Sequence, residues 1–441
     1  MTDDHKPPRL IDIPAFTDYI GKGWEIPDRT PPVVPGAAEA AAAHRLRLAA
    51  ALPGRTVVVA AGRAPVRSND TSYDFRPGSD FYWLTGCVAE EAVAVVRDGD
   101  AVVYLPVPAY PGETGFFADA ARGELWVGAA PGLGEWSAAL GVQVRPLTDF
   151  DGTVSTDEDV ARTLAELRMI KDDWEIGQLR EAVDRTVEGF AAVLAEIPAA
   201  IAGAGERWLQ GTFDRYARAY GNGPGYATIV GSGPHAPTLH WVRCDGPVLP
   251  DALLLLDMGV EVRSHYTADV TRTFPASGTF SPAQRQVHDL VERAHRAALA
   301  RTTPGHRFTD FHHAAMEVIA HGLDDWGLLP VSVDEALSEH GQHHRRYLIC
   351  GIGHHLGLDV HDCAKAAPEA YQGALIEPGM VFTVEPGLYF HAHDQTVPPE
   401  LRGIGVRIED DLLATADGIE VLSAALPLSA SGLENWPKNG E

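Results

Sequence analysis

Hydrophobic and polar positions follow two rhythms along this chain. Up to about residue 156 the apolar runs are short and rich in β-branched residues: 55–61, 92–97 and 101–105 each read as a strand. The last two are separated by Asp98-Gly99, a dipeptide suited to the left-handed backbone of a two-residue hairpin turn. An Ala-rich stretch, 36–52, predicts a helix ahead of them. From residue 157 the apolar spacing becomes helical and predicts helices over 157–171, 173–196, 207–220 and 281–300, the last opened by Ser-Pro as N-cap and first helical residue. Short apolar runs bounded by glycine lie between and after these helices. This mixture predicts an α/β protein of two domains, 1–168 and 169–441, with no short-period repeat.

Charge and composition narrow the partners. Of 441 residues 45% are apolar, and 61 acidic against 35 basic residues give a net charge of -26, which repels nucleic acid and anionic membranes and suits a neutral or cationic substrate. No run approaches the roughly 20 apolar residues of a bilayer-crossing helix, and the first 35 residues are polar and Pro-rich without the apolar core of a signal peptide. The four cysteines, Cys87, Cys244, Cys350 and Cys363, form no C-x-x-C pair and are expected as reduced thiols, so the expected location is cytoplasmic.

The chemistry is concentrated in the second domain, in four segments. An apolar run LLLL ends at Asp257, and Asp269 follows twelve positions later; GHHLGLDVHD, residues 353–362, supplies His354, His355 and His361; EPGMVFTVEPGLYF, residues 377–390, contains Glu385; GIGVRIEDD, residues 403–411, contains Arg407 and Glu409. Any one of these acids has an ordinary explanation as a turn residue or a surface ion-pair partner. Four carboxylates in or beside buried strands are another matter, because each loses hydration and repels the others at a cost of several kcal/mol unless cations compensate. An oxygen-rich set with one imidazole suits two divalent ions such as Mn²⁺ better than a thiolate site. Two such ions would acidify a water between them and polarise a scissile carbonyl, giving amide hydrolysis without a nucleophilic side chain. The glycine-bearing VGSGPHAP, residues 230–237, has the wrong spacing for a dinucleotide fingerprint.

In their order, Asp, Asp, His, Glu, Glu, the four segments resemble the metallopeptidases of the pita-bread fold, the group containing methionine aminopeptidase, prolidase and aminopeptidase P. Upstream, SNDTSYDFRPGSDFYWLTG, residues 68–86, is similar to a segment of the smaller N-terminal domain of aminopeptidase P. The resemblance implies a pita-bread catalytic domain preceded by a mixed α/β domain, and a dinuclear aminopeptidase that removes an N-terminal residue preceding proline. It implies Asp257 on one metal, Asp269 and Glu409 bridging both, and His354 with Glu385 completing the second. It further implies Glu385 as proton shuttle, His361 and His240 as catalytic groups touching substrate, and Tyr389 and Arg407 beside the substrate, Arg407 also orienting the carboxylates. Mn²⁺ comes first among the metals, with Co²⁺ or Zn²⁺ as alternatives, and a homo-oligomer (dimer or tetramer) is expected. Prolidase, which splits Xaa-Pro dipeptides, and a non-catalytic binding protein on the same fold remain alternatives.

Several features depart from that pattern or fall outside it. The Asp257 to Asp269 interval is one longer than in many relatives, so a bulge or a longer turn is expected there. Cys350 stands where many bacterial relatives have histidine, and reads as a small packed residue. His355 reads as packing or surface. Trp241, Tyr266 and Tyr389 are candidate walls for a proline pocket. Residues 363–376 contain no arginine; Lys365 is their only cation, and Gln372 falls where prolidases place a guanidinium.

Overall fold

The structure, a computed structural model, describes residues 8–436 and separates the chain into two compact units, Met1–Leu164 and Ala165–Glu441. The first is built on a four-stranded sheet whose strands β1 (Thr56–Ala60), β2 (Val93–Arg97), β3 (Asp100–Leu105) and β4 (Gln143–Pro146) lie in that order, antiparallel except for the parallel β3–β4 pair. In β1, Val57 and Val59 are buried while their neighbours are more exposed, the period of a sheet with one face on the core. Arg97 pairs with Asp100 around Asp98 and Gly99, whose φ values of 51° and 89° give the turn its hand. Helix α1 (Ala37–Ala51) occupies the predicted Ala-rich stretch. Helix α2 (Ser79–Thr85) was not predicted; seven residues are too few to display a helical period, yet it buries Phe81, Tyr82, Trp83 and Leu84.

Helix α3 (Glu158–Arg168) precedes α4 (Asp173–Ala195), which starts sharply because Asp172 and Glu175 cap each other: each carboxylate accepts the other's backbone N–H at 2.9 Å. Helices α5 (Gly205–Tyr220), α6 (Pro282–Leu299) and α7 (Asp310–Asp325) complete the long helices of the second unit, and Ser281 with Gln284 forms the same reciprocal cap before α6. Three small antiparallel sheets carry the chemistry. Strands β5 (Ile229–Ser232), β6 (Leu253–Met258) and β7 (Val270–Pro275) pair in the order β7-β6-β5. Strand β8 (Val381–Val384) pairs with β11 (Asp410–Thr415), which pairs with β12 (Gly418–Val421), and β9 (Gly387–Phe390) pairs with β10 (Ile404–Arg407). Every residue of β6 is buried, which explains its unbroken apolar run.

The β6–β7 connection takes up its extra residue in the turn. Met258 pairs with Val270 and Glu261 with Thr267 in one continuous register, and the chain reverses at residues 263–265, with His265 at φ 66° and its N–H bonded to Val262 O at 2.8 Å. No strand bulge intervenes. With register kept, Asp257, Gly259, Asp269 and Thr271 share one face of the hairpin. Gly259 opposes Asp269 because nothing larger fits: a Cβ there would stand 1.8 Å from Ala268 O. Among the described residues, no single helix is long and apolar enough to cross a membrane.

Candidate metal centre

Period 2 also organises the acidic run that follows β10. Arg407, Glu409 and Asp411 point to the side of Asp257 and Asp269, and Asp410 points away. The two strands are stitched by Glu409 N–H to Thr271 O at 3.1 Å and by Thr273 Oγ1, which donates to Arg407 O at 2.9 Å. Asp410 is neutralised on its own side by Arg272 at 2.6 Å, Ser423 at 2.6 Å and His295 at 3.1 Å. Burial acts to raise its carboxyl, but the Arg272 guanidinium and the other donors hold it below the usual range.

The opposite side is only partly compensated: Arg407 pairs with Asp257, and among the described residues no Lys or Arg side chain pairs with Asp269, Glu409 or Asp411. Asp257 and Asp269 are each 6% exposed and Glu409 is 1% exposed. One ligand atom from each of Asp269, His354 and Glu409 lies within 4.8 Å of the others. His354 Nε2 stands 3.3 Å from Asp269 and 3.5 Å from Glu385, while its Nδ1 lies 3.1 Å from His355 O, an arrangement that leaves Nε2 facing the carboxylates. Burial and the neighbouring carboxylates push Glu409 well above its ordinary value, and burial with Asp269 pushes Glu385 up to about 7 against the pull of His354. Burial alone would lower His354, but the hydrogen bond to Asp269 and the charges of Glu385 and Asp269 outweigh it and raise the imidazole to about 9. Asp411 accepts Asp269 N–H at 3.0 Å with one oxygen; its other oxygen is buried without a hydrogen-bond partner, and burial raises this carboxyl too. Arg407 and His354 bring positive charge to this face, yet burial and mutual repulsion still leave Glu385, Glu409 and Asp411 raised. That donor set, oxygen-rich with a single imidazole and an orphaned buried oxygen, fits divalent cations.

Among the described residues, Arg407 is the one guanidinium on this face. It donates to Asp257, to Thr271 Oγ1 at 3.0 Å and to Tyr389 Oη at 3.0 Å, and Thr271 donates in turn to Glu409 at 2.6 Å. Arg407 and Tyr389, each 4% exposed, are thus hydrogen-bonded to each other beside the carboxylates. Tyr226 closes the cluster with a 2.6 Å hydrogen bond to Asp257. Neither Tyr226 nor Thr271 was expected. Thr271 had a legible signal, two positions beyond Asp269 on the same strand face; Tyr226 had none.

The histidines separate clearly. The ring of His361 meets that of His354 edge to face with 4.4 Å between centroids, and it is solvent-exposed. His240 lies on the exposed loop between β5 and β6, near enough that its charge helps to lower the pKa of His361, after partial desolvation of that ring's inner side and the charge of His354. His355 is fully buried, stacked on Phe308 at 4.6 Å and edge-on to Tyr371, and burial lowers it to about 3, so it stays neutral packing. Cys350 is half-buried, and burial and the charge of Glu385 raise its thiol. Tyr266 belongs to the core, its hydroxyl on Glu175 at 2.7 Å, and Trp241 braces its loop through Glu206 at 2.8 Å.

Residues 177–416 match the sequence pattern of metallopeptidase family M24, and residues 41–162 match that of the aminopeptidase P N-terminal domain. The chain belongs to metallopeptidase family M24, within its aminopeptidase P group, and is an enzyme with a pita-bread catalytic domain. It is 45% identical to Xaa-Pro aminopeptidase 2 of Streptomyces coelicolor over 94% of either chain, and 31% identical to the Xaa-Pro aminopeptidase of Escherichia coli over 85% of this chain and 91% of that one. The solved aminopeptidase P from E. coli with the inhibitor Pro-Leu superposes with a TM-score of 0.80 at 27% identity, covering 91% of this chain and 98% of the other.

Proposed function

We propose that this metallopeptidase is an Xaa-Pro aminopeptidase that carries two divalent ions and hydrolyses the bond between an N-terminal residue and a following proline. The observation that carries the reading is the crowded, buried carboxylate face of Asp257, Asp269 and Glu409 beside His354 and Glu385, in a chain similar over nearly its whole length to Xaa-Pro aminopeptidases. Asp257 would serve one ion, Asp269 and Glu409 both, and His354 with Glu385 the other. Mn²⁺ suits this oxygen-rich set, with Co²⁺ and Zn²⁺ as alternatives. When bound, the ions supply Lewis acidity and lower the pKa of water.

The side chains do the rest. Glu385, 3.5 Å from His354 Nε2 at the edge of the cluster, is placed to take the proton of the attacking water and return it to the leaving prolyl nitrogen. His361, outside the cluster but against His354, donates to the carbonyl oxygen as it gains charge, and His240 flanks the same space. Arg407 fixes Asp257 and, through Thr271, Glu409, so that the carboxylates cannot swing. The four cysteines are all free, which fits a reducing compartment; we place the enzyme in the cytoplasm, as a homo-oligomer.

The test uses chelator-treated enzyme reloaded with Mn²⁺, Co²⁺ or Zn²⁺ and assayed on Ala-Pro-Ala and Ala-Ala-Ala. Cleavage should return with metal and only when proline is second; activity that survives chelation, or ignores proline, overturns the reading.

A further inference from the structure

Residues 353–362 carry both His354 and His361 without regular secondary structure. Their first end is tied to β8, through Thr383 N–H to His354 O at 2.9 Å and Leu356 N–H to Val381 O at 3.0 Å, and the loop closes on itself through Asp362 N–H to His355 O at 2.9 Å. Charge fixes the other end. The Asp362 carboxylate lies 2.9 Å from Arg168 and 3.4 Å from Lys171, and Arg168 also reaches Asp359 at 3.3 Å. The side chains of Asp362 and Lys171 are 1% and 0% exposed and that of Arg168 is 8% exposed. Gly357 makes room for this contact: a Cβ there would stand 2.2 Å from Asp362 Oδ2.

Two cations and two carboxylates make a neutral set, which is how Arg168, Lys171 and Asp362 can stay buried with Asp359 at the wetter edge, yet a buried ion set is a poor source of stability compared with apolar packing. What it supplies is fixed geometry. The His361 ring has no hydrogen-bond partner among the described residues, so its placement depends on its backbone, and the residue bonded to it is Asp362.

We propose that Arg168, Lys171 and Asp362 are positioning residues for His361: the ion set anchors the backbone after His361 and holds its ring against His354, facing the substrate carbonyl. The proposal rests on the role given to His361 above. Arg168 and Lys171 touch no reacting atom and act only through that neighbour.

A double-mutant cycle on the metal-loaded full chain tests it, with Ala-Pro-Ala as substrate and with metal content, Tm and amide hydrogen exchange over residues 356–362 as further readouts. Arg168→Met should lower kcat about tenfold or more with metal content and KM little changed, and should speed exchange in that loop. In a His361→Ala background the same substitution should cost less than about twofold, because the group it positions is gone. Equal losses in both backgrounds, loss of metal, or unchanged exchange overturn the clamp. If His361→Ala alone leaves turnover intact, the role given to His361 fails and the clamp fails with it; a loss from His361→Ala with additive Arg168→Met sinks the clamp alone. Should Arg168→Met not fold, Asp359→Asn at the half-exposed corner should lower kcat by about threefold, again only while His361 is present.

Discussion

The Tyr226 hydroxyl donates to Asp257 at 2.6 Å, while Arg407 holds the carboxylate's second oxygen. Both partners favour the charged form of a carboxyl that burial pushes upward. Tyr226→Phe keeps the ring and deletes one of them. Affinity for divalent metal should fall about 10–100-fold while the fold is retained, as is usual when an outer partner of a ligand is lost. Chelator competition measures it; unchanged affinity would remove Tyr226 from the site.

Ligand and neighbour roles within GHHLGLDVHD can be told apart by metal content. His354→Ala and Glu409→Ala should each lose one or both ions, since Glu409 is the carboxylate proposed to join them. His361→Ala should keep its metal and lose turnover by roughly 10²-fold, the effect of a missing oxyanion donor. Near-normal turnover in folded Glu409→Ala sinks the two-ion reading, and the reverse pattern for the histidines exchanges their roles.

Protons and metal compete for one set of groups. Glu385 is raised to about 7 and His354 to about 9, and Glu409 stands well above its ordinary value. Each must release its proton to bind a cation, so divalent affinity should rise with pH through about 7 and on through about 9. Stability of the metal-free chain runs the opposite way. A carboxyl raised in the fold keeps a proton that the unfolded chain has shed, so stability falls as pH climbs from the ordinary carboxylate range through about 7; the His354 contribution is likewise lost as pH rises through about 9. The Tm gap between loaded and chelated protein should therefore widen from about pH 6 to about pH 9. A gap that narrows contradicts the assignment.

Much of this was legible because it is local. The Asp98-Gly99 turn, the Ser281-Pro282 helix start and the all-apolar β6 each announce themselves within a few residues, and the strand period places Asp257, Asp269 and Thr271 on one face. The same period applied after Glu409 points to Asp411, a signal present in IEDD and not used. What could not be read is long-range. Arg168 and Lys171 meet Asp362 from 194 and 191 residues away, and Glu206 gathers Ser232, His235, Trp241 and Gly246 around one buried carboxylate; no local pattern marks such partners, because only the packed fold brings them together.

Substrate length separates the two proline-directed readings. A dipeptide brings its C-terminal carboxylate beside the prolyl ring, where a fixed cation must match it; a longer peptide carries that charge out to solvent. In residues 363–376 the structure leaves Lys365 and Gln372 exposed, and the guanidinium that reaches the segment, Arg307, donates to Gly373 O at 2.7 Å in an exposed setting. A guanidinium spent on a surface carbonyl is not preorganised for bidentate capture of a carboxylate. Ala-Pro-Ala should therefore exceed Ala-Pro in kcat/KM by about tenfold or more, roughly 1.4 kcal/mol of transition-state preference, in the Mn²⁺-loaded enzyme. Arg307→Ala should leave that ratio unchanged. Equal or faster dipeptide cleavage would favour a prolidase, and a dipeptide rate that collapses in Arg307→Ala would identify the cation responsible.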